Sequence, residues 1–236
     1  MFFFSNKILV RESGLLEGFC DYHCHLLPGV DDGVKEMEDT LHILEDWEMA
    51  GVKEVWMTPH IMEDIPNTQE ELERVFEQVK ECYSGVVKLH LAAEHMMDGM
   101  FVRKLDRDGE RMMTLFDDYL LVETSYYTPP MNMEAIIDRI KKLGYEPVLA
   151  HPERYQYMNM KDYRRWKEQG LLLQLNVPSL VGAYSPDVQR KAEWLLKENM
   201  YDFCGTDTHS IDQVGLFMNS LISKKMVKKV KGIIKV

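Results

Sequence analysis

Residues 18–33 read GFCDYHCHLLPGVDDG, a short β-like run that ends in two histidines, a Pro-Gly turn and a pair of acids. Side chains alternate between the faces of a strand, so we expect Asp21, His23 and His25 to share one face. The two histidines then lie roughly 6.5–7 Å apart along the backbone, close enough for both imidazoles to reach one metal ion. Cys24 faces the other way and is expected to be a core thiol. The stretch is either a polar turn or half of a metal site.

This run is the first of seven β-like segments that alternate with helix-like segments along the chain. The β-like segments are GFCDYH, VKEVWMTP, VKLHLAAE, DYLLVETS, EPVLAHPE, LLLQLNV and DFCGTDTH. The helical candidates lie near residues 36–50, 68–84, 132–143, 161–169, 186–199 and 211–222. Repeated βα units predict a parallel sheet covered by helices. Seven units without a dinucleotide-binding glycine fingerprint favour a βα barrel over a doubly wound sheet.

No linker rich in Pro, Gly or Ser divides the 236 residues, so we expect one domain over residues 1–236, with residues 1–18 an N-terminal extension of unassigned role. The formal net charge of -11 makes nucleic acid a poor general partner. The four cysteines form no C-x-x-C pair and are expected to be reduced thiols. The first residues lack a secretory signal and no segment approaches the length of a membrane span. We therefore expect a cytoplasmic protein without membrane insertion.

Potential metal ligands recur where the β-like segments end. Six of the seven segments end in His, Asp or Glu, and these residues are His23, His25, His60, Glu94, Glu123, His151, Asp207 and His209. In a βα barrel all these ends converge on one face, which is where active sites lie. Imidazole and carboxylate without thiolate suit Zn, Mn or Fe, and several of each indicate more than one ion. Such a cluster activates water and holds phosphate oxygens, and Arg154 offers a planar fork for phosphate.

Three further histidines are expected to lie outside this cluster. His42 falls within a predicted helix, off its apolar stripe, and is expected at the surface. His90 lies in the middle of a β-like segment and is expected to be hydrogen-bonded at the lower end of the barrel. His95 follows Glu94 directly, so its side chain points to the opposite side of the strand. The cluster therefore draws on the other five of the eight histidines.

The ordered set of motifs resembles the PHP (polymerase and histidinol phosphatase) superfamily, and within it the CpsB/YwqE group of bacterial metal-dependent tyrosine-protein phosphatases. The segments that carry the resemblance are D-x-H-x-H-x-L-P-G-x-D-D-G at 21–33, TPH at 58–60, A-x-E at 92–94, Glu123, HPER at 151–154 and G-T-D-x-H at 205–209. The resemblance runs from about Phe19 over almost the whole chain. The H-x-H-x-x-P-G-x-D-D-G and HPER segments point to this group within the superfamily.

The resemblance implies an α/β fold, a distorted (β/α)7 barrel of the PHP type, with three divalent metal ions at the carboxyl ends of its strands. The implied ligands are His23, His25, Glu94 and Asp207 for the first ion, Glu94, Glu123 and His151 for the second, and Asp32, His60 and His209 for the third. Manganese is the implied metal, with zinc or iron as alternatives. Arg154 would bind the phosphate, and Asp207 or His209 would protonate the leaving group. Asp21 would orient a histidine.

The implied activity is hydrolysis of phosphotyrosine in a protein. The implied partner is a bacterial tyrosine kinase that controls capsule or exopolysaccharide assembly. The segment HSIDQVG at 209–215 departs from the family because it lacks a second arginine that relatives often carry, and the candidate substitutes are Arg103, Lys104 and Arg107. The C-x5-R signature of cysteine-dependent tyrosine phosphatases is also absent.

Three other functions are compatible with parts of this sequence. Another PHP phosphatase, acting on histidinol phosphate or a nucleotide, would need the same ligands. A catalytically weak barrel that binds the kinase as a regulator is favoured by the missing arginine and disfavoured by the intact ligand set. An amidohydrolase also begins with H-x-H, but Glu94 and Glu123 stand where that group typically has a lysine and histidines.

Overall fold

The computed structural model describes residues 6–107 and 111–233, so the first five residues of the expected N-terminal extension lie outside the described residues. The strands within these ranges are β1 Lys7–Leu9, β2 Cys20–Cys24, β3 Glu54–Met57, β4 His60–Ile61, β5 Lys88–Leu91, β6 Glu94–Met96, β7 Tyr119–Glu123, β8 Glu146–Ala150, β9 Leu172–Asn176, β10 Phe203–Gly205 and β11 Leu221–Ser223. The α-helices are α1 Met37–Ala50, α2 Gln69–Cys82, α3 Gly99–Leu105, α4 Met133–Lys142, α5 Met160–Glu168, α6 Pro186–Lys197, α7 Ile211–Met218 and α8 Lys224–Val230.

Most of the strands form a curled parallel sheet. Six strands run in the order β10-β9-β8-β7-β6-β4, and three more run in the order β2-β3-β5. The two sets adjoin where β3 leads into β4 and β5 into β6, because the Ala92 amide donates to the Met57 carbonyl at 2.9 Å. At the other side, the His25 amide donates to the Thr208 carbonyl at 2.9 Å, next to the end of β10. The prediction of a mixed α/β fold with a parallel sheet is confirmed.

The six predicted helices are present as α1, α2, α4, α5, α6 and α7, and local signals mark their ends. α1 ends at Ala50 and is capped by Gly51, whose φ of 90° is the left-handed conformation that glycine adopts without strain. Thr68 and Glu71 form a capping box at the start of α2. The prediction of a helix over 211–222 is wrong beyond Met218, where α7 ends, because Leu221 begins β11. The short helix α3 was not predicted.

The described part of the N-terminal extension is built into the fold. β1 pairs antiparallel with β11, with Lys7 opposite Ser223. Val10, Leu15 and Leu16 after this strand are each at most 3% exposed and belong to the main apolar core. Burial of these side chains removes apolar surface from water, so the extension stabilises the fold.

Two apolar clusters support the site. The larger one includes residues of the helices and strands, among them Leu44 and Trp47 of α1. The smaller one is formed by side chains of several strands and includes Tyr22, Trp56 and Phe203. Among the described residues, no helix combines the length and the apolar character that crossing a bilayer requires.

A β-bulge in β2 determines which side chains reach the site. The register between β2 and β3 shifts between Asp21 and Cys24. Tyr22 belongs to the smaller apolar cluster, whereas the next residue, His23, joins the polar cluster at the carboxyl ends of the strands. Strict alternation through Asp21, His23 and His25 therefore does not hold across the bulge. Bulges often re-aim side chains beside functional sites in this way.

Candidate metal centre

The nine side chains expected to bind metal lie together at the carboxyl ends of the parallel strands. They form four overlapping groups, in each of which the potential ligand atoms lie within 4.8 Å of one another. The groups are His25, Asp32, His60 and His209; His23, His25 and Asp207; His23, Glu94 and His151; and His60, Glu94 and Glu123. Because the groups share members, the cluster can hold more than one ion.

Glu94, at the start of β6, is the member that joins the groups. It is fully buried, and its Oε2 lies 3.1 Å from Nδ1 of His60, 3.2 Å from Nε2 of His23 and 3.3 Å from Nε2 of His25. Its Oε1 lies 2.9 Å from Nε2 of His151. One carboxylate therefore contacts four imidazoles, so Glu94 could be a ligand shared by more than one ion.

Asp32 forms the outer corner of the cluster, after the Pro-Gly turn. Its Oδ1 lies 3.4 Å from Nε2 of His60 and 3.6 Å from Nε2 of His209. The Asp32 side chain is 64% exposed, whereas the histidine side chains are 10% and 21% exposed. This corner therefore connects the buried cluster to solvent.

Unpaired buried atoms test whether the cluster fits a metal. The buried cluster atoms without a hydrogen-bond partner among the described residues are Nδ1 of His60, Oε2 of Glu94, Oε1 of Glu123 and Nδ1 of His151. In addition, the Nε2 atoms of His23 and His25 lie 3.1 Å apart. Buried polar atoms in native proteins are seldom left unpaired. The atoms of His60, Glu94 and Glu123 converge, with Nδ1 of His60 3.1 Å from Oε2 of Glu94 and 3.2 Å from Oε1 of Glu123, and a divalent cation would satisfy their lone pairs. The donor set therefore fits a metal centre, whereas Nδ1 of His151 lies on the far side of its ring from Glu94.

The electrostatics of the cluster favour a cation. Although burial opposes it, the imidazoles of His23 and His60 hold the pKa of Glu94 well below its usual range. The pKa of Asp207 is lowered in the same way, mainly by His23 against the effect of burial. Burial likewise opposes the charged form of His23, but Glu94 and Asp207 raise its pKa to about 9. The carboxylates are therefore ionised and present negative charge to the centre.

Asp31, which had no role in the sequence prediction, orients one of the histidines. Its Oδ2 accepts from Nδ1 of His25 at 2.7 Å and from the His60 amide at 3.0 Å, and its Oδ1 accepts from the Gly33 amide at 2.9 Å. The bond to Nδ1 leaves Nε2 of His25 for the cluster. Carboxylates that hold a ligating histidine in this manner fix its tautomer and raise its basicity.

Gln174 in β9 has the same role for a second histidine and was also missed. Its Oε1 lies 3.1 Å from Nδ1 of His23 and accepts from the His151 amide at 3.3 Å. Gln174 and Asn176 are the polar residues of the otherwise apolar segment LLLQLN, and they alternate along the strand. That alternation is the sequence signal by which both could have been found.

Asp21 does not orient a histidine ring, contrary to the prediction. Its Oδ1 accepts from the Thr206 amide at 2.8 Å and its Oδ2 from the Thr206 hydroxyl at 2.6 Å. Its remaining contact is with the backbone amide of His23, at 3.3 Å. Burial raises the pKa of Asp21 to about 6. Asp21 thus joins β2 to the segment after β10 and sets the backbone positions of the ligands.

Arg154 lies beside the cluster and contacts one of its carboxylates. Nη1 of Arg154 donates to Oδ2 of Asp207 at 2.6 Å, and the Arg154 side chain is 18% exposed. The Asn176 amide nitrogen also donates to Oδ2 of Asp207, at 3.0 Å. Oδ1 of Asp207 lies 3.6 Å from Nε2 of His23. Asp207 therefore joins the predicted phosphate-binding arginine to the predicted metal ligands.

The backbone is strained at two cluster residues. His151 has a φ of 33° and Asp207 a φ of 52°, both in the left-handed region. A residue other than glycine held there costs about 1–3 kcal/mol, and such strain concentrates at functional sites. Both residues directly follow or closely follow a strand, where the chain must turn to aim their side chains at the cluster.

The three histidines expected outside the cluster are outside it. His95 contacts the Met113 carbonyl through Nε2 at 3.2 Å. Nε2 of His90 lies 3.1 Å from Oε2 of Glu54. The His42 side chain is 58% exposed. Position along a strand for His90 and His95, and within a helix for His42, was therefore enough to separate these histidines from the cluster.

Comparisons with known proteins agree with this geometry. Residues 19–232 match the family model described as capsular polysaccharide synthesis, CpsB/CapC. Tyrosine-protein phosphatase CpsB of Streptococcus pneumoniae is 28% identical over 227 residues, which cover 89% of this chain and 93% of that protein. Tyrosine-protein phosphatase YwqE of Bacillus subtilis (strain 168) is 25% identical over 199 residues, which cover 81% of this chain and 77% of that protein.

The fold has a counterpart among solved structures. A crystal structure from work on YwqE of Bacillus subtilis and CpsB of Streptococcus pneumoniae, which describes them as unique metal-dependent tyrosine phosphatases, superposes with a TM-score of 0.73. The sequences are 22% identical, and the superposition covers 90% of this chain and 86% of the other, so this likeness concerns the fold. The family match extends from the first strand of the parallel sheet to the last helix, and the chain belongs to the CpsB/CapC family.

Proposed function

We propose that the protein is a metal-dependent phosphatase that hydrolyses phosphotyrosine in a protein substrate. The observation that carries the proposal is the convergence of nine imidazole and carboxylate side chains beside Arg154. Cations and a planar guanidinium together complement the charged oxygens of a phosphoryl group. The preference for tyrosine is supported by the names of the relatives CpsB and YwqE.

For the physiological substrate we infer a bacterial tyrosine autokinase that regulates capsular or exopolysaccharide synthesis. The family description, capsular polysaccharide synthesis, supports this setting. We also place the protein in the cytoplasm, which its four free cysteines favour because thiols stay reduced there.

We propose three divalent ions as cofactors, with manganese preferred and zinc or iron as alternatives. The resemblance assigns His23, His25, Glu94 and Asp207 to the first ion, Glu94, Glu123 and His151 to the second, and Asp32, His60 and His209 to the third. The structure groups the same nine side chains in other combinations, since Glu94 lies with His23 and His151 and also with His60 and Glu123, whereas Asp207 lies with His23 and His25. When bound, the ions activate water and offset negative charge on the phosphoryl oxygens. The unpaired buried atoms of the cluster support their presence.

Arg154 and His209 are the side chains with proposed roles in phosphate binding and proton transfer. Arg154 binds phosphoryl oxygens with the guanidinium donors that Asp207 does not occupy. Because the pKa of Asp207 is lowered, this carboxylate is ionised and is a poor proton donor. This leaves His209 as the candidate for protonating the leaving phenolate, which it could do only while its Nε2 carries a proton and is not bound to an ion. Its Nδ1 contacts the Asp207 carbonyl at 2.8 Å, which fixes the ring.

We further propose that the curled sheet is the distorted (β/α)7 barrel of the PHP type and that residues 1–236 form one domain. In support, β3 with β4 and β5 with β6 each continue one strand direction, so that seven strands follow one another. The bridge between Cys24 and Thr208 supports closure between the first and last of them.

An assay of phosphatase activity across metals and substrates tests the proposal. Chelated protein would be reloaded with Mn, Zn or Fe and given a phosphotyrosine peptide, histidinol phosphate and a nucleotide monophosphate side by side. We expect Mn-dependent turnover, with kcat/KM for the peptide at least about tenfold above the other substrates. Hydrolysis at the same rate with and without added metal would refute the assignment as a metal-dependent tyrosine phosphatase. A higher kcat/KM for histidinol phosphate or the nucleotide would also refute it.

Two variants connect the activity to the site. His23→Ala should abolish turnover together with metal binding. Arg154→Ala should lower kcat about 10²–10³-fold, the usual effect of losing a group that stabilises transition-state charge. Arg164→Ala is the matched control, because Arg164 is 56% exposed and pairs with Glu198 on the surface at 3.7 Å. Wild-type kinetics in Arg154→Ala would remove Arg154 from the mechanism.

A further inference from the structure

The guanidinium of Arg154 lies between two tyrosine rings, which we call the tyrosine clamp (Tyr126 and Tyr184). Its Cζ lies 4.4 Å from the centroid of the Tyr126 ring and 4.4 Å from that of the Tyr184 ring. Tyr126 follows β7 and Tyr184 precedes α6, so separate elements bring the two rings to one side chain. Stacking of this kind attracts the cation to the rings electrostatically and more strongly when water is excluded.

Both rings of the clamp are held in place by their surroundings. The Tyr184 hydroxyl accepts from the Asn176 amide at 2.7 Å and donates to Oδ2 of Asp207 at 3.4 Å. The centroid of the Tyr126 ring lies 5.7 Å from that of the His151 ring and 6.0 Å from that of the Tyr155 ring. The clamp therefore cannot move independently of β9 and of the segment that carries Arg154.

A fixed guanidinium binds phosphate at lower entropic cost than a free one. Arginine has one of the most flexible side chains, and ordering it on binding opposes affinity. In this protein the two rings and Asp207 hold Arg154 from three sides before any substrate is present. The planar fork is thereby aimed, and the donors that remain free are available for phosphoryl oxygens.

The sequence after His209 is a reason to expect that the orientation of Arg154 matters. The segment HSIDQVG carries no arginine, and Arg103, a candidate substitute, pairs with Glu63 at 2.9 Å with a side chain that is 64% exposed. Arg154 contacts the cluster directly through Asp207, so its geometry bears on phosphate binding.

We propose that Tyr126 and Tyr184 are positioning residues that lock Arg154 for phosphate binding. This inference rests on the proposed phosphate-binding role of Arg154. The clamp acts through Arg154, so its effect must disappear when Arg154 is removed.

A double-mutant cycle on the manganese-loaded full-length protein tests the clamp. The kinetics of phosphotyrosine-peptide hydrolysis would be measured for Tyr126→Leu and Tyr184→Leu, each with Arg154 intact and with Arg154→Ala. With Arg154 intact we expect each change to lower kcat/KM about tenfold, with kcat affected as it is in Arg154→Ala, because a desolvated cation–π contact that orients Arg154 is lost. In the Arg154→Ala background we expect each to change kcat/KM less than about twofold.

Conservative variants separate positioning from folding. Tyr126→Phe keeps the ring and should stay within about twofold of wild-type kcat/KM, since the stacking is retained. Tyr184→Phe also keeps the ring but removes the hydroxyl that contacts Asn176 and Asp207, so its kcat/KM should fall between those of wild type and Tyr184→Leu. Trp194→Leu is the matched control, because it removes a ring from under Arg164, whose Cζ lies 5.7 Å from that ring's centroid. This control should leave kcat/KM unchanged.

Several results would overturn the inference. Equal losses with and without Arg154, or loss of bound manganese in the leucine variants, would make the role of the rings structural. Leucine variants with wild-type kcat/KM would show that the clamp does nothing for phosphate binding. Wild-type activity in Arg154→Ala would overturn both the clamp and the assigned role of Arg154, whereas metal-dependent hydrolysis itself would stand.

Discussion

Glu153, between His151 and the clamped arginine, joins three segments under the site. It is fully buried, and its Oε1 accepts from the Asn176 amide at 3.1 Å and from the Ser179 hydroxyl at 2.7 Å. Its Oε2 accepts from the Tyr201 hydroxyl at 2.9 Å. Glu153→Ala leaves three buried donors without their acceptor. At about 1–1.5 kcal/mol each, less some relief from removing a buried charge, we expect a loss of about 3–4 kcal/mol in the free energy of unfolding.

Two milder substitutions test how much each hydrogen bond contributes to this loss in the free energy of unfolding. Glu153→Gln keeps one oxygen acceptor and the volume, so we expect a cost of about 1 kcal/mol. Tyr201→Phe removes one of the three bonds and should also cost about 1 kcal/mol. Urea unfolding followed by circular dichroism gives these free energies if the slope with urea is unchanged. Glu168→Ala at an exposed position is the control and should stay within about 0.5 kcal/mol of wild type.

The pH dependence of the Gln variant provides a second check. Burial raises the pKa of Glu153 above its usual value. The carboxyl therefore contributes stability that is complete below its unfolded pKa and is lost as pH rises through its folded pKa. The free energy of unfolding of wild type should therefore exceed that of Glu153→Gln by less as pH rises from acidic to neutral. This reasoning would be refuted if Glu153→Ala lowered the free energy of unfolding by less than about 1 kcal/mol. It would also be refuted if the difference between wild type and Glu153→Gln grew with pH.

Three further results are expected. Asp31→Asn should weaken manganese binding about 10–100-fold in a calorimetric titration, because one carboxamide oxygen cannot accept from His25, His60 and Gly33 together. Asp46→Asn, beside exposed His42, is the control, and equal affinities would contradict the role of Asp31. Gly205→Ala should destabilise the protein by at least about 1–3 kcal/mol in urea, because a Cβ there would lie 2.5 Å from Cβ of His23, whereas Gly215→Ala in open space should be neutral or stabilising; similar values for the two would refute the packing argument. Manganese at about 100 times its Kd should add about 2.7 kcal/mol of stability and raise Tm by about 5–10 °C, and a chelator should reverse it; a Tm indifferent to manganese would speak against a metal centre.

Local patterns in the sequence were sufficient for the elements and for the polar cluster. Hydrophobic runs that alternate with helical segments are short-range features, and they located the strands of the parallel sheet and six helices. The histidines and acids could be assigned to one face because parallel strands end at the same edge. The structure brings all nine together, although whether they bind metal stays a prediction.

Long-range contacts could not be read from the chain. β1 pairs with β11 at the opposite end of the sequence, and no local pattern specifies that partner. The bulge in β2 depends on how this strand meets β3, so alternation counted along the strand did not describe its side chains correctly. Gln174 and Asp31 could not be assigned as histidine partners for the same reason, since their roles depend on which side chain lies opposite.

The sequence by itself therefore determined the kinds of ligand, their order along the chain and the sheet edge where they meet. Only the tertiary structure decided the atoms that each group presents, through contacts such as Asp31 with His25 and the tyrosine clamp around Arg154. The physical reason is that strand periodicity acts over a few residues, whereas tautomers, stacking and hydrogen-bond partners are set by side chains far apart in sequence.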